Sequence, residues 1–132
     1  MAPFILAFVW AIAGFHLAAT YFAWYYAFPW IDIPMHIAGG AWIAALLYYL
    51  AVDRLAIFTA GEWRKLLFFG VATVALVGVA WEFYEILLDL YVLKAYTLFD
   101  APGGLHFDTL KDLFDDLAGG AVMLSVLVRR RR

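Results

Sequence analysis

Hydrophobic residues fill four long stretches of the chain, and short polar or proline-containing segments separate them. The stretches cover approximately residues 3–27, 33–52, 64–93 and 109–128. A helix needs about 20 apolar residues to cross the roughly 30 Å hydrocarbon core of a bilayer. Open sheet edges cannot satisfy their backbone polar groups in lipid, so the pattern predicts helices rather than strands. We therefore expect an all-α integral membrane four-helix bundle that forms a single transmembrane domain over residues 1–132.

The composition supports the same class of protein. Hydrophobic residues make up 67% of the chain and charged residues 15%, with a mean hydropathy of +0.88, which is not the composition of a soluble domain. The absence of cysteine excludes disulfides, thiolate metal ligands and cysteine nucleophiles. No Gly-rich phosphate loop, Ser/His/Asp constellation or nucleic-acid-binding surface is recognisable. The lipid bilayer is the expected partner, and the aromatic residues at 22–30 predict an interfacial belt at the end of the first helix.

Basic residues gather at one side of the predicted bundle. With four spans, one face holds Arg54, Arg64, Lys65 and the arginines at 129–132, and the other face holds Lys94 and Lys111. Cytoplasmic loops of membrane proteins carry an excess of Lys and Arg. The first stretch lacks the basic n-region and small-residue cleavage site of a signal peptide, so we expect a retained helix. The pattern predicts a protein of the cytoplasmic (inner) membrane with both termini in the cytoplasm.

Part of the second helix recurs in the fourth helix. Residues 32–41 read DIPMHIAGGA and residues 112–121 read DLFDDLAGGA, so His36 and Asp116 take equivalent places. Small residues let membrane helices approach closely, and parallel repeats related by an axis along the membrane normal occur in transporters. The recurrence predicts an internal parallel repeat in which helices 2 and 4 are equivalent and cross at their glycine pairs.

Ionisable residues stand at the outer ends of three predicted helices. Helix 2 begins, helix 3 ends and helix 4 begins on the outer face, so their polar residues lie at a similar depth. On helices 3 and 4 the carboxylates recur at helical spacing, which places each set on one stripe. The candidate site residues are Asp32 and His36 on helix 2, Glu82 and Glu85 on helix 3, and Asp112, Asp115 and Asp116 on helix 4.

This cluster needs a counter-charge. An acidic side chain at the centre of a membrane helix costs about 2.5–3.5 kcal/mol even on the lenient insertion scale, and Lys111 is the basic residue that the predicted spans offer nearby. Carboxylates with imidazole and without sulfur suit Mg, Mn, Fe or Zn. We therefore expect a divalent metal ion with the seven candidate residues as its ligands. Protons shared between neighbouring carboxylates are the alternative.

Four further residues have two interpretations each. His16 on helix 1 either completes the site or is a buried histidine bonded to a neighbouring helix. His106 lies in the outer loop and is either solvated or a lid ligand or proton shuttle. Asp89 and Asp108 lie near the membrane–water interface and are either solvated or part of the site. Asp32 and Asp108 are also placed to act as helix N-caps.

Three motifs together resemble those of VanZ-like and YjdF-like small membrane proteins. They are Asp32-x-x-x-His36, Trp81-Glu82-x-x-Glu85-x-x-x-Asp89 and Asp108-Thr-Leu-Lys-Asp112-x-x-x-Asp116-x-x-Gly119. The VanZ-like pattern often has amides where this chain has Glu85 and Asp116, so the present site is more acidic and closer to the YjdF-like version. The resemblance implies a membrane fold of four or slightly more helices and, for the glycopeptide-resistance member, an envelope-associated role.

These observations predict a metal-dependent membrane enzyme that acts on an amphipathic, lipid-like or envelope substrate. The metal would generate hydroxide or polarise the scissile group, and Glu82 or Glu85 would act as general base. One alternative is a proton- or cation-coupled transport element that uses the same carboxylates as a relay. Another is a small accessory subunit that binds no metal. In a chain this small, association with a second copy or with another membrane protein is a further expectation.

Overall fold

The computed structural model describes residues 1–93 and 103–130 of the chain. Within these residues all regular structure is helical, as the hydrophobic pattern predicts, and no strand forms. The α-helices are α1 (Ala2–Tyr21), α2 (Trp24–Ala27), α3 (Asp32–Tyr48), α4 (Trp63–Leu87) and α5 (Leu105–Arg129). Short 3-10 turns at Pro29–Ile31 and Ala60–Glu62 precede α3 and α4, and π-helical turns at Tyr49–Arg54 and Leu88–Leu93 extend them. Lys94 and residues 131–132, which enter the topology prediction, lie outside the described residues.

Three helical segments are long and apolar enough to cross a bilayer, namely Ala2–Tyr21, Pro29–Arg54 and Trp63–Val92. Helix α5 has 25 residues, which corresponds to about 37 Å at 1.5 Å per residue. Its first half, however, carries four aspartates and Lys111. The membrane class is therefore supported by three spans, and the fourth crossing stays a prediction.

Local sequence explains where the helices begin. Pro3 lies in the first turn of α1, where its missing N–H costs nothing. Thr59 and Glu62 form a capping box before α4. Gly103 and Gly104 have φ angles of 89° and 79°, a backbone conformation that glycine adopts without the steric cost of a Cβ. Helix α5 consequently starts at Leu105 rather than at the predicted position near 109.

The first predicted helix is interrupted. It ends at Tyr21 instead of near residue 27, because Ala23 adopts a left-handed conformation with φ of 55°. The short helix α2 follows this break and runs to Ala27. The second and third helices match the predicted stretches more closely, with their last turns in π-helical geometry.

The prediction that Asp32 and Asp108 are N-caps was wrong. Ile31 is the N-cap residue of α3, and Asp32 is the first helical residue. Gly104 is the N-cap residue of α5, and Asp108 lies in its first turn. Both carboxylates remain near a helix N-terminus, where the positive end of the helix dipole favours negative charge.

Helices α3 and α5 are in backbone contact. A Cβ atom on Gly40 would collide with the backbone of Asp116, and one on Gly119 would collide with the backbone of Ile37. Glycine at these two positions is what allows the helices to approach so closely. The contact brings the first turns of α3 and α5, with their ionisable residues, to the same place.

Helices α3 and α5 run in the same direction, and α4 runs in the opposite direction. Asp32 at the start of α3 meets Lys111 near the start of α5, and further along Ala44 and Leu124 share the main hydrophobic cluster. Gly70 near the start of α4 lies against Leu124 near the end of α5. The carboxylates at the end of α4 therefore reach the beginnings of α3 and α5.

Helix α1 packs mainly against α3. The indole Nε1 of Trp42 donates a hydrogen bond to the carbonyl oxygen of Ile5, at 3.0 Å. Ile5 and Ala19 are the buried residues of α1, whereas side chains such as Trp10 and Leu17 are exposed. Exposed apolar side chains on a membrane helix are suited to contact with lipid.

Candidate functional site

His36 lies at the centre of the polar cluster and is buried. Its Nδ1 atom is 3.4 Å from Asp116 Oδ1, and its Nε2 atom is 3.5 Å from Asp32 Oδ1 and 3.8 Å from Asp112 Oδ1. Asp32 stands one helical turn before His36 on α3, whereas the other two aspartates come from α5. Both ring nitrogens thus face carboxylates, so the imidazole can act as a counter-ion when protonated and as a ligand when neutral.

Lys111 provides a positive charge at the outer edge of the cluster. Its Nζ atom is 3.1 Å from Asp32 Oδ2, from Asp108 Oδ1 and from Asp112 Oδ1. It donates hydrogen bonds to Asp32 and Asp108. The contact with Asp112 is an ion pair without hydrogen-bond geometry, since Oδ1 of that residue is buried with no hydrogen-bond partner among the described residues. Lys111, the basic residue that the sequence singled out, therefore contacts three aspartates.

The two glutamates of α4 lie beside His36 on the other side. Glu82 is only 7% exposed, and its Oε1 atom has no hydrogen-bond partner in the described part of the chain. Glu85 is half-buried, and its Oε1 atom accepts a hydrogen bond of 2.9 Å from Trp81 Nε1. Over residues 1–93 and 103–130, no lysine or arginine forms an ion pair with either glutamate.

In the part of the chain that the structure describes, two groups of three residues could each hold a metal ion, with ligand atoms that lie within 4.8 Å of one another. The first group is Asp32, His36 and Asp112, and the second is His36, Glu82 and Glu85. Lys111 lies against two carboxylates of the first group and partly neutralises it, whereas no lysine or arginine ion pair neutralises the second within the described residues. One imidazole and two carboxylates form a set suited to a divalent ion. The second group is thus the better fit.

The other sequence candidates surround these groups. Asp116 contacts His36. Asp115 is buried, with Oδ2 lacking a hydrogen-bond partner among the residues described, but it belongs to neither group of three. Asp89 is buried in the π-helical turn that follows α4. His106 is exposed in the first turn of α5 and is not in either group.

A cavity of about 410 Å³ adjoins the cluster. Its walls come mainly from α1, α3 and α4 and are largely apolar; they include Val9, Ile12, Met35, Trp42, Ile43 and Val77. Asp32, His36, Glu85 and Asp116 line one end. A cavity of this size, with apolar walls and a few convergent polar groups, is typical of sites for small molecules.

His16 and Tyr25 reach the polar end of the same cavity. The Nδ1 atom of His16 is 2.9 Å from the Tyr25 hydroxyl, so His16 is bonded to the short helix α2. The His16 ring also lies 5.6 Å from the Tyr25 ring and 5.9 Å from the Trp81 ring, measured between centroids. Tyr25 was interpreted from the sequence as part of an interfacial belt. Its place in the cavity was missed because it depends on the left-handed conformation of Ala23, which leaves no signal in the hydrophobic pattern.

Comparison with known protein families gives one match over the whole chain. Residues 1–132 match the family described as "Predicted membrane protein (DUF2238)". No match was found among curated proteins or among solved structures. The VanZ-like and YjdF-like resemblance of the motifs stays a prediction. The chain belongs to the DUF2238 family of predicted membrane proteins.

Proposed function

We propose that this protein is a metal-dependent membrane enzyme that acts on an amphipathic, lipid-like or envelope substrate. The observation that carries the proposal is that two members of the group His36, Glu82 and Glu85, namely His36 and Glu85, line the polar end of a largely apolar cavity. An amphipathic molecule would lie with its chain between the apolar walls and its head group at the carboxylates. The reacting group would then be held beside the proposed ion.

The buried oxygen of Glu82 supports the presence of an ion. A buried polar atom without a partner carries a desolvation cost of about 1–3 kcal/mol, and more when it is charged. Bound Mg, Mn, Fe or Zn, held by His36, Glu82 and Glu85, would remove that cost. Such an ion supplies hydroxide from bound water or polarises a scissile group. Of the two glutamates, Glu85 lines the cavity, so it would bind the ion through one oxygen and offer the other as the better placed general base.

We also propose that α5 crosses the membrane, which completes a four-helix bundle in the inner membrane. Asp112, Asp115 and Asp116 of α5 are buried against the other helices, so the cost of placing them at membrane depth is reduced. The opposite side of α5 exposes apolar residues, including Leu110, Phe114, Val122 and Val126. This division of polar and apolar faces is typical of a spanning helix that is packed within a bundle.

The helix directions support the predicted topology and repeat. Because α3 and α5 are parallel and α4 is antiparallel, Arg54, Arg64 and Arg129 lie at the same end of the bundle, away from the cluster. An excess of basic residues marks the cytoplasmic side, so both termini are proposed to be cytoplasmic. Helices α3 and α5 correspond to the second and fourth predicted helices. Their parallel direction and their glycine contact are also what an internal repeat of those two helices requires.

Elemental analysis of detergent-purified protein tests the proposal. We expect near-stoichiometric divalent metal in the parent and its loss in the double variant Glu82→Gln, Glu85→Gln. Glu62→Gln is the matched control, since it makes the same change on the same stretch of chain about 30 Å away along the helix axis. The loaded protein would then be screened against lipid-like hydrolase substrates. A parent without metal after supplementation with Mg, Mn, Fe and Zn would contradict the proposed cofactor.

A non-catalytic accessory subunit is the second candidate, and the ion pairs of the cluster favour it. Lys111 and His36 already face four of the carboxylates, so the cluster could serve to hold α3 and α5 together. Such a subunit would bind no metal and turn over no substrate. A transport relay has less support, because the buried residues toward the other end of the described helices, such as Ala44, Leu66 and Leu124, are apolar.

A further inference from the structure

We infer that the cavity binds a cationic amphiphile, with an ammonium head group beside Glu85 and a hydrocarbon chain between the apolar walls of α1, α3 and α4. This inference goes beyond the proposed enzyme and concerns the metal-free protein, in which Glu85 is not a metal ligand. The binding itself requires no metal ion, so the two ideas can be tested apart.

The charge at the polar end of the cavity favours a cation. Asp32, His36, Glu85 and Asp116 line it, and no lysine or arginine of residues 1–93 and 103–130 does. Asp32 is paired with Lys111, and Asp116 with His36. Glu85 is therefore the lining carboxylate that forms no ion pair within the described residues. A phosphate or sulfate head group would meet repulsion there, whereas an ammonium group would supply the missing positive charge.

Aromatic rings adjoin the same carboxylate. The Trp81 indole donates to Glu85 Oε1, and the centroid of the His16 ring is 5.9 Å from that of Trp81 and 5.6 Å from that of Tyr25. A quaternary ammonium donates no hydrogen bond and is recognised by aromatic faces together with negative charge. The polar end of the cavity combines these two features.

The remaining wall of the cavity suits an alkyl chain. From His36 to Trp42 on α3, and from Glu85 to Val77 on α4, the lining extends about 9 to 12 Å along the helix axes. Apart from the polar groups at one end, the surfaces named above are hydrocarbon or aromatic. Helix α1 forms one wall of the cavity and has only Ile5 and Ala19 buried among its 20 residues, so a lipid-like molecule could reach the cavity from the bilayer beside α1.

The test uses metal-chelated full-length protein in maltoside micelles and follows tryptophan fluorescence, since Trp42 and Trp81 line the cavity. The probe is a brominated alkyl trimethylammonium, and the comparison probe is the alkyl sulfate with the same brominated chain. We expect saturable quenching by the ammonium probe and only the non-saturating quenching of micelle mixing by the sulfate. Equal saturable quenching by both probes would overturn the inference.

Three variants locate the binding. Glu85→Gln should weaken ammonium binding about tenfold, equivalent to 1.4 kcal/mol, and Val77→Phe, which fills the apolar wall, should abolish saturable quenching. Asp108→Asn, whose carboxylate does not line the cavity, should bind like the parent. Each variant is checked for an unchanged helical circular dichroism spectrum and elution volume. Unchanged binding by folded Glu85→Gln and Val77→Phe would also overturn the inference.

The metal analysis separates this inference from the proposed enzyme. Selective ammonium binding by a protein that never takes up metal would sustain the ligand site and contradict the metal-dependent reaction. A metal-loaded protein that, after chelation, binds neither probe in the cavity would sustain the cofactor and overturn the ligand class.

Discussion

The Nδ1 atom of His36 lies 3.4 Å from Asp116 Oδ1, and each residue is the fifth of the similar ten-residue sequences 32–41 and 112–121. The pair joins α3 to α5 beside the point where Gly40 lies against the backbone of Asp116. The helix contact that stabilises the fold and the residue pair of the candidate site therefore lie at the same place between α3 and α5. A change that separates the helices would also take the site apart.

Removal of the imidazole should destabilise the protein strongly. His36→Ala leaves three aspartates facing a vacated space, and loss of one partner from a buried charge pair costs about 3–5 kcal/mol. We expect a markedly lower Tm in detergent, monitored by circular dichroism. His106→Ala is the control, because His106 is exposed and its loss should change Tm little. Equal Tm values for the two variants would show that His36 does not stabilise the cluster.

Adding a side chain at the glycine contact between α3 and α5 should destabilise the protein. Gly119→Ala places a Cβ atom against the backbone of Ile37, and overpacking of this kind costs typically about 1–3 kcal/mol. Gly14→Ala is the matched control, since nothing lies within 4 Å of a Cβ at that position. Thermal unfolding should separate the two variants, with Gly14→Ala at or above the parent Tm. A Gly119→Ala protein as stable as the control would contradict the close backbone contact.

The charge of Lys111 should be coupled to the aspartates around it. Lys111→Met leaves Asp112 buried near Asp32 without its closest fixed cation, so the free energy of unfolding should fall. Adding Asp112→Asn should restore part of the loss, because the second change removes the uncompensated negative charge. A double-mutant cycle by chemical unfolding measures the coupling, expected at about 0.5–3 kcal/mol for groups in contact. Strictly additive effects of the two substitutions would argue against a functioning ion pair.

The Glu62 carboxylate in the capping box before α4 should titrate at unusually low pH. The hydrogen bond from Lys65 Nζ, at 2.8 Å, and those from Thr59 lower the pKa of Glu62 from 4.5 to about 2. Because the pKa is lower in the folded protein, the stabilising contribution is present above about pH 4.5 and is lost as the pH falls toward 2. Lys65→Met should move the pKa of Glu62 upward, as NMR titration of its carboxyl carbon would show. Arg64→Met, whose guanidinium stacks on Trp63 instead, should leave that titration in place.

Sequence patterns predicted the helices well where local hydrophobicity determines their length. The lengths of α3 and α4 follow from apolar runs, and helical spacing predicted that the carboxylates of α4 and those of α5 each lie on one stripe. The sequence also indicated that Asp32, His36, Glu82, Glu85 and the aspartates of α5 share one end of the molecule. That inference succeeded because polar residues in a membrane helix avoid lipid, so their directions are restricted before any packing is known.

The remaining features depend on contacts between distant residues. The break at Ala23, which turns Tyr25 toward His16, cannot be recognised in an apolar run, because an alanine carries no turn signal. The early start of α5 at Leu105 likewise depends on backbone angles at the glycines before it. The sequence identified Lys111 as an available cation. Which of the surrounding carboxylates it forms ion pairs with depends on side-chain positions in the folded protein.

By itself the sequence determined the all-helical membrane class and the acidic, histidine-containing character of the candidate site. It did so because hydrophobic length and helical periodicity are local properties of the chain. Only the tertiary structure decided that Lys111 neutralises one side of the cluster and leaves Glu82 and Glu85 without such a partner among the described residues. It also decided that an apolar cavity ends at that second side. The position of Lys111 among the aspartates depends on how closely α3 and α5 pack, which the contact of Gly40 and Gly119 with the facing backbones allows. The cavity depends on how α1 and α4 pack against α3.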